Sequence, residues 1–495
     1  MNRSLLNKHY LFGSVILLLA IAIVVPALSY AEMLTLDDAI DIAVNRTARG
    51  GMIRGNLEVA EQNYFARKIN FYVPEISING SVPAYNVDES YRFFGGATEK
   101  QLYRTRDLGF NSFVELNQSL ITGGDVKVTA NLLTRDDRYP NTRPGSELGS
   151  FIKEHTNQGY FTFRYEQPIL KPSDSKNNLY NTRDDLEIAK MVRLEEETAL
   201  RKEITEAYIT VLQLSIKSEI TNDKFEAAGL TAEIDSMKLI DGVISEEDWL
   251  LSSSNRLDAE LESFEIENQV EEQRRELAIL LDRDPTAELE LTQPTVSEKI
   301  DKYVRQRMLD SWEISVPVIK ADMEYSKAER QANYAASGHG INGDLTAEYS
   351  TGQGRVETDG ISDNINTKGW GVALNFSFPI WDGGASGAAV KSAWLGAEQS
   401  KLESDRARKR TKAEIINLVN QLDVGYRRLE IVRQQIDLAE NKLNIAESRF
   451  NDGQISKVTY LESKVFYLET RDRYLEELKS YVLNKIELEG KFIDG

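Results

Sequence analysis

The chain contains no cysteine in 495 residues. That absence excludes disulfides, thiolate metal sites, cysteine nucleophiles and lipid-bearing cysteines. Histidine is scarce as well. His9, His155 and His339 lie far apart in the sequence, so neither a histidine-based metal site nor a Ser-His-Asp triad is expected. No long basic stretch occurs, and the formal net charge is −20, which argues against nucleic acid as a partner. Only one long apolar run exists, Leu11 to Val25. No later stretch approaches the ~20 apolar residues of a membrane-spanning helix. Any part of the chain that enters a bilayer after export must therefore do so as β-strands. No acid–base or metal-binding cluster converges at any motif, so neither an enzyme nor a cofactor is expected.

What is present begins at the N-terminus. Arg3 and Lys8 precede the apolar run, and Pro26, Ser29 and Ala31 follow it. This order predicts a secretory signal peptide over residues 1–31, cut after Ala31, with a retained anchor helix as the alternative. Removal of two basic and no acidic residues takes the charge from −20 to −22. A secreted chain without cysteine suits a bacterial envelope.

The pentapeptide Asp241-Gly242-Val243-Ile244-Ser245 returns as Asp452-Gly453-Gln454-Ile455-Ser456, 211 positions later. At the same offset Pro168 falls on Pro379, Glu203-Ile204 on Glu414-Ile415, Trp249-Leu250 on Tyr460-Leu461 and Glu276-Leu277 on Glu487-Leu488. No gap is needed between about 159 and 281, which marks an internal duplication. Further upstream, residues 57–68 pair with 323–334 at an offset of 266. The first half thus carries roughly 55 extra residues between about 80 and 158, the difference of the two offsets. That segment includes alternating runs on both sides of Thr122-Gly123-Gly124, which predict an additional hairpin. The layout is a first repeat over 32–282, a linker over 283–297 with Pro285 and Pro294, and a second repeat over 298–495. Helices are expected at 35–72, 176–240, 246–282, 298–336, 388–451 and 456–491. Strands are expected within 75–168 and at 341–351 and 369–380.

Residues 415–450 carry two apolar stripes. One runs Ile415, Val419, Leu422, Tyr426, Leu429, Val432, Ile436, Ala439, Leu443, Ala446, Phe450; the other, Val424, Ile431, Leu438, Ile445, repeats in strict sevens. A helix with two nearly opposite apolar faces can hold a neighbour on each side, as a barrel stave does; the alternative is the central helix of a bundle. The runs 160–166 and 370–378 alternate apolar with polar residues over about ten positions, the length and period of an outer-membrane β-strand, or of a half-buried soluble one. A few strands per half cannot close a barrel alone, so insertion implies oligomerisation. Trp370 and Trp381 are candidates for the membrane interface.

With "LTLDDAIDIAV" (34–44), "FPIWDGG" (378–384), "SRFNDGQISKVTYLESK" (448–464) and the duplicated layout in this order, the chain resembles the TolC-like outer membrane efflux protein family across essentially its whole mature length. The resemblance implies an α+β membrane protein, internally duplicated, whose long coiled-coil-like helices form a periplasmic α-barrel and whose β-strands contribute to a trimeric outer-membrane β-barrel. It implies a homotrimer set in outer-membrane lipid, four strands per chain and twelve in all. It also implies a passive exit duct in tripartite efflux or type I secretion, working with a periplasmic adaptor protein and an inner-membrane pump of RND or ABC type. If the extra hairpin joins the sheet, the count becomes six and eighteen. The two turns, Asp241–Ser245 and Asp452–Ser456, would be adaptor-docking tips, with Val243, Ile244 and Ile455 exposed there. Glu462 falls on an acidic pore-constriction position of the family. The second such position holds Thr459, and Asp248, its repeat equivalent, is the candidate substitute. A secreted coiled-coil structural or adhesive protein is the alternative reading.

Overall fold

The computed structural model describes residues 33–493 except 94–99, 142–144, 146, 148–149, 296–298, 300 and 379. The expected signal peptide lies outside the described residues. The chain divides into two compact units: residues 1–53, 194–312 and 413–495, and residues 54–193 and 313–412.

The helices are α1 (Leu36–Asn45), α2 (Ala48–Tyr72), α3 (Asp174–Ile240), α4 (Glu246–Leu280), α5 (Lys302–Asp310), α6 (Val316–Ser337), α7 (Ala385–Asn451) and α8 (Lys457–Glu489). None is long and apolar enough to cross a membrane. Two expected single helices are each broken. Between α1 and α2 the Thr47 hydroxyl donates to the Ala43 carbonyl (2.6 Å) and accepts from the Gly50 amide (3.2 Å), and the Ala48 amide donates to Asp282. The new helix starts so close to the old one that a Cβ at Gly50 would lie 2.2 Å from the Val44 carbonyl oxygen. The expected helix over 298–336 splits into α5 and α6 because α6 starts afresh, with Ser315 as N-cap and Pro317 in its first turn.

In the first unit α3 and α8 run antiparallel, joined along their length by polar pairs. Lys202–Glu487 (2.6 Å), Lys479–Glu206 (3.4 Å), Gln213–Glu476 (2.8 Å), Lys464–Asp223 (2.9 Å) and Lys457–Glu226 follow one another in order. The other side of α8 meets α7 through Arg428–Glu477 (3.7 Å), Arg433–Tyr474 (3.3 Å) and the Tyr426–Tyr481 ring pair. On the far side of α3, Ser263 of α4 donates to Asn222 (2.6 Å). The order across the unit is therefore α4, α3, α8, α7, with α4 and α7 at its edges. Its core gathers Leu200, Ile204, Ile209, Leu277, Ile415, Leu429, Leu475 and Leu478.

The expected linker is more than a connection. Its strand β6 (Glu290–Leu291) pairs in parallel with β1 (Met33–Leu34). Beneath that pair the buried Tyr208 hydroxyl reaches the carbonyls of Leu34 (2.6 Å) and Thr292 (2.7 Å). Burial pushes its phenol pKa up.

The second unit is built on one antiparallel sheet, β2 (Glu75–Arg92), β3 (Gln101–Ser119), β4 (Asp125–Pro140), β5 (Phe151–Pro168), β7 (Asn342–Thr358) and β8 (Ile361–Ser377), in the order β2-β3-β4-β5-β7-β8. Of the two counts left open, four strands per chain or six with the inserted hairpin, the described residues form six. The extra residues of the first half form β3 and β4, joined at Leu120–Gly124, and both pair along their length with their neighbours. The strands are also longer than the ten-residue runs expected, at 16 to 19 residues. Apolar alternation marks only part of each, and the ladder continues into polar residues such as Arg138, His155 and Arg355. In the same unit, Arg330 of α6 bonds Asp184 of α3 (2.5 Å), and Asp322 of α6 takes hydrogen bonds from Ser404 and Arg408 of α7 (both 2.5 Å).

Tyr208→Phe is expected to lower the stability of the first unit by about 1–2 kcal/mol, read as a lower midpoint of thermal unfolding in detergent. An unchanged midpoint would mean that the hydroxyl does not hold the N-terminal strand to the linker.

Candidate channel wall and hairpin tips

Residues paired directly across a sheet face the same side. One lateral row across all six strands reads Ile76, Leu116, Val128, Phe163, Tyr349, Trp370. Every member is apolar or aromatic. Ile76 is 66 % and Trp370 82 % exposed, so nothing among the described residues covers the two ends of this row. The opposite face carries Ser77, Glu115, Thr129, Thr162 and Ser350 in the adjacent row. Its charges are paired across strands, Lys127 with Glu115 (2.7 Å) and Arg164 with Glu348 (3.6 Å).

The apolar band crosses the sheet on a slope. Its margin at the helix-proximal strand ends is Phe376 on β8, Leu345 on β7, Tyr165 on β5, Val126 on β4, Leu116 on β3 and Ile76 on β2. Relative to the row above, these lie six, four, two, two, zero and zero residues towards that end. Five strand intervals thus carry a displacement of about 1.2 residues each, or ~4 Å against a strand spacing of ~4.8 Å. A flat apolar layer crossed by strands tilted at ~40° demands this displacement, and membrane barrels tilt by about that much. Where the band is tallest, from Leu108 to Leu116 on β3 with Ser112 as its polar member, nine residues at this tilt span ~23 Å, close to the apolar belt of such a barrel. Trp370 and Trp381 (87 % exposed) stand at or just beyond the band's margins.

The two turns have the same backbone. Gly242 and Gly453 adopt φ +70 and +71. The Val243 amide donates to Lys238 (2.8 Å) and the Gln454 amide to Arg449 (2.8 Å), the long bond of a Schellman cap. Ser245 and Ser456 then N-cap α4 and α8. Asp241, Asp452 and Gln454 are exposed. Of the three apolar tip residues, Val243 is 70 % exposed, whereas Ile244 and Ile455 are half-buried, a correction to their expected exposure. Each isoleucine precedes the N-capping serine, the position from which a hydrophobic staple packs onto the first turns of a helix.

The acidic candidates differ in surroundings. Asp248 closes a capping box: it accepts from the Ser245 hydroxyl (2.7 Å) and amide (3.2 Å), and the hydroxyl hydrogen bond, then the amide bond, hold its carboxyl below the usual carboxylate range. Thr459 occupies that place in the second turn: its amide donates to the Ser456 hydroxyl (3.2 Å) and its own hydroxyl meets that of Ser456 (3.1 Å), with no carboxylate to return a bond to the Ser456 amide. Glu462 stands exposed near the start of α8.

The seven-residue stripe of α7 is bare. Val424, Ile431, Leu438 and Ile445 are 50–70 % exposed, while Ile415, Val419, Leu422 and Leu429 of the other stripe are buried. A second bare stripe, which sequence reading passed over, lies on α4: Leu250, Leu257 and Phe264, 54–57 % exposed. Its spacing in sevens was the available cue. Counted 211 positions on, these three become Leu461, Leu468 and Leu475 of α8, all buried against their neighbours.

Ser245→Ala removes the hydroxyl's bonds with the Asp248 amide and carboxylate, the second of them charge-assisted, and Ser456→Ala removes only neutral bonds, with the Thr459 amide and hydroxyl. The first change is expected to weaken its helix start by about 1–2 kcal/mol and the second by less, read as amide hydrogen exchange over residues 246–249 and 457–460. Because the Asp248 pKa is lowered by folding, its contribution is present above about pH 4 and lost as pH falls through the lowered value. Equal effects of both changes, independent of pH, would reject the box.

Residues 321–490 match the model of the family described as outer membrane efflux protein. No curated protein matches the chain. Among solved structures, the chain is similar to the outer membrane protein VceC from Vibrio cholerae, with 13 % identity over 92 % of this chain and 96 % of that one and a TM-score of 0.56. It is similar to the open state of the Neisseria gonorrhoeae MtrE outer membrane channel (14 %, 92 % and 88 %, 0.56) and to the Campylobacter jejuni CmeC outer membrane channel (13 %, 92 % and 85 %, 0.53). Residues 321–490 thus match the outer membrane efflux protein family, and the chain as a whole has the fold of these outer-membrane channels.

Proposed function

We propose that this protein is an outer-membrane exit duct, a homotrimer that passively conducts substrates from an inner-membrane pump and a periplasmic adaptor to the cell exterior. The observation that carries this reading is the sloping apolar band on one sheet face, backed by a polar face with paired charges. Lipid is the solvent such a face fits, and water the solvent of the other. In this reading residues 1–31 direct export, and the repeats 32–282 and 298–495 supply equivalent parts of the wall.

The bare stripes of α7 and α4 support assembly from copies. Within one chain, α3 packs on α8; by the 211-residue offset, α7 corresponds to α3 and α4 to α8. The contact missing from each chain is therefore α7 of one copy on α4 of the next. The α3–α8 ladder bounds its register, because its five pairs have residue sums from 683 to 689. Within that range a sum of 688 brings Leu438 to Leu250, Ile431 to Leu257, Val424 to Phe264 and Ile445 to the exposed Val243.

The tips Asp241–Ser245 and Asp452–Ser456 are the adaptor-facing ends in this reading. Glu462, with Asp248 in support, would ring the pore with carboxylates and favour cations.

Since the chain has no cysteine, an introduced pair reports without background. Ile431→Cys with Leu257→Cys is expected to give disulfide-linked oligomers up to a trimer on oxidation of membranes. Protein that stays monomeric on denaturing gels while fully inserted would reject this seam.

Detergent-extracted protein is expected to show discrete, cation-selective conductance in planar bilayers, with selectivity reduced in Glu462→Gln. Protein that needs no detergent and never inserts would overturn the duct. Conductance with unchanged selectivity in the variant would remove Glu462 from the constriction.

A further inference from the structure

We infer that the membrane barrel of this protein has eighteen strands, six from each of three copies, and so a markedly wider outlet than a four-strand-per-chain trimer. The inference rests on the duct reading above.

The sheet ends in two free edges, β2 and β8. Five successive antiparallel pairings separate them, so the two edge strands run in opposite directions. β8 of one copy can then meet β2 of the next in the same antiparallel sense as every other pair. Such a contact is head-to-tail and closes into a ring. The chain already contains its pattern. At the repeat offsets β8 corresponds to β5 and β2 to β7, and β5 pairs with β7 over fifteen positions, Glu154 to Pro168. The seam between copies is the repeat counterpart of the seam inside each copy.

The strands β3 and β4 have no counterpart in the second half. They could have formed a plug or an outer loop. Instead Leu116 and Val128 continue the apolar row, Leu108 and Leu132 extend the band on the same slope, and Glu115 and Lys127 pair on the polar face. Both faces of the inserted hairpin are thus patterned as wall. Backbone groups at bilayer depth must all be paired within the protein, so the strand count is a multiple of six. Three copies give eighteen.

At ~40° tilt and ~4.8 Å spacing each strand takes up ~6.3 Å of circumference. Eighteen strands enclose a backbone diameter of ~36 Å and twelve ~24 Å. With ~5 Å of side chain on each side, the outlet is ~26 Å against ~14 Å. The wider bore passes hydrated cargo of a few kilodaltons without unfolding it.

The test uses full-length protein in outer membranes. The slope of the band, carried across the seam, places Ser377 of β8 beside Ser77 of the next copy's β2, with Glu75 and Asn79 one step to either side on the same face. Ser377→Cys is combined in turn with Glu75→Cys, Ser77→Cys or Asn79→Cys, and bilayer conductance is measured on each preparation. The expected result is a disulfide ladder that ends at the trimer in at least one pair, with none in the single-cysteine controls. A ladder that ends at the dimer means twelve strands and overturns the inference. Conducting protein with no cross-link in any pair places the seam elsewhere and also overturns it. In both cases the conductance shows that the duct reading survives. Absent conductance together with absent insertion removes the duct reading itself.

Discussion

A peptide group at bilayer depth has no water to bond, and each one left unpaired costs several kcal/mol. This constraint governs the second unit. Its sheet pairs four of six strands on both sides and leaves β2 and β8 open. A soluble sheet can hydrate or blunt an open edge. A sheet whose apolar band runs out to both edge strands, at Ile76 and at Trp370, cannot do so inside lipid. In the proposed duct the chain is therefore a segment of something closed, and the duplication gives the closure a simple form. Repeat one meets repeat two inside each copy, and repeat two would meet repeat one of the next copy outside it.

Much of this was legible in the sequence because the informative features are local and periodic. The glycines at 242 and 453 end helices and the serines at 245 and 456 begin them, so the hairpins stand within a residue or two of expectation. The inserted hairpin at Thr122-Gly123-Gly124 was visible from alternation alone. Its place in the sheet was not, because alternation assigns faces and says nothing of neighbours. The breaks at Thr47 and Ser311–Ser315 were missed for a different reason. Both helix patterns continue across them, and the break at Thr47 depends on a distant acceptor, Asp282. Strand lengths were underestimated since the polar outer halves of the strands carry no apolar period. The stripe on α7 was read as one of two stave faces, but the sequence alone did not show that its partner stripe lies on α4.

The tips illustrate how a local account can be sufficient for some residues and silent on others. Schellman geometry and N-capping explain Gly242, Gly453, Ser245 and Ser456 without any partner. Ile244 and Ile455 are half-buried at the staple position before each N-cap. Val243 is left, exposed and without a structural role among the described residues. The proposed helix seam would give it one, opposite Ile445, and so separate it from the tip residues that the proposal assigns to an adaptor. Asp241, Asp452 and Gln454 are the tip side chains for which the seam offers no explanation.

The two seams differ in strength. Each helix seam covers about eight side chains that are half or more exposed in the isolated chain. Burying half of such a side chain contributes about 1 kcal/mol, so one seam is worth roughly 8–10 kcal/mol before association costs of about 4–15 kcal/mol. That sum lies near balance. The sheet seam satisfies a run of backbone groups in hydrocarbon at several kcal/mol each, tens of kcal/mol in all. In the proposed trimer the copies would therefore be held at the sheet, and the α7–α4 contact would be the seam able to open and close without loss of assembly. Its register ends at Val243, within the turn itself. In that assembly a force applied at the tips would act first on the Ile445–Val243 pair and then on each heptad in succession, so the α7–α4 seam would open from the turn inward.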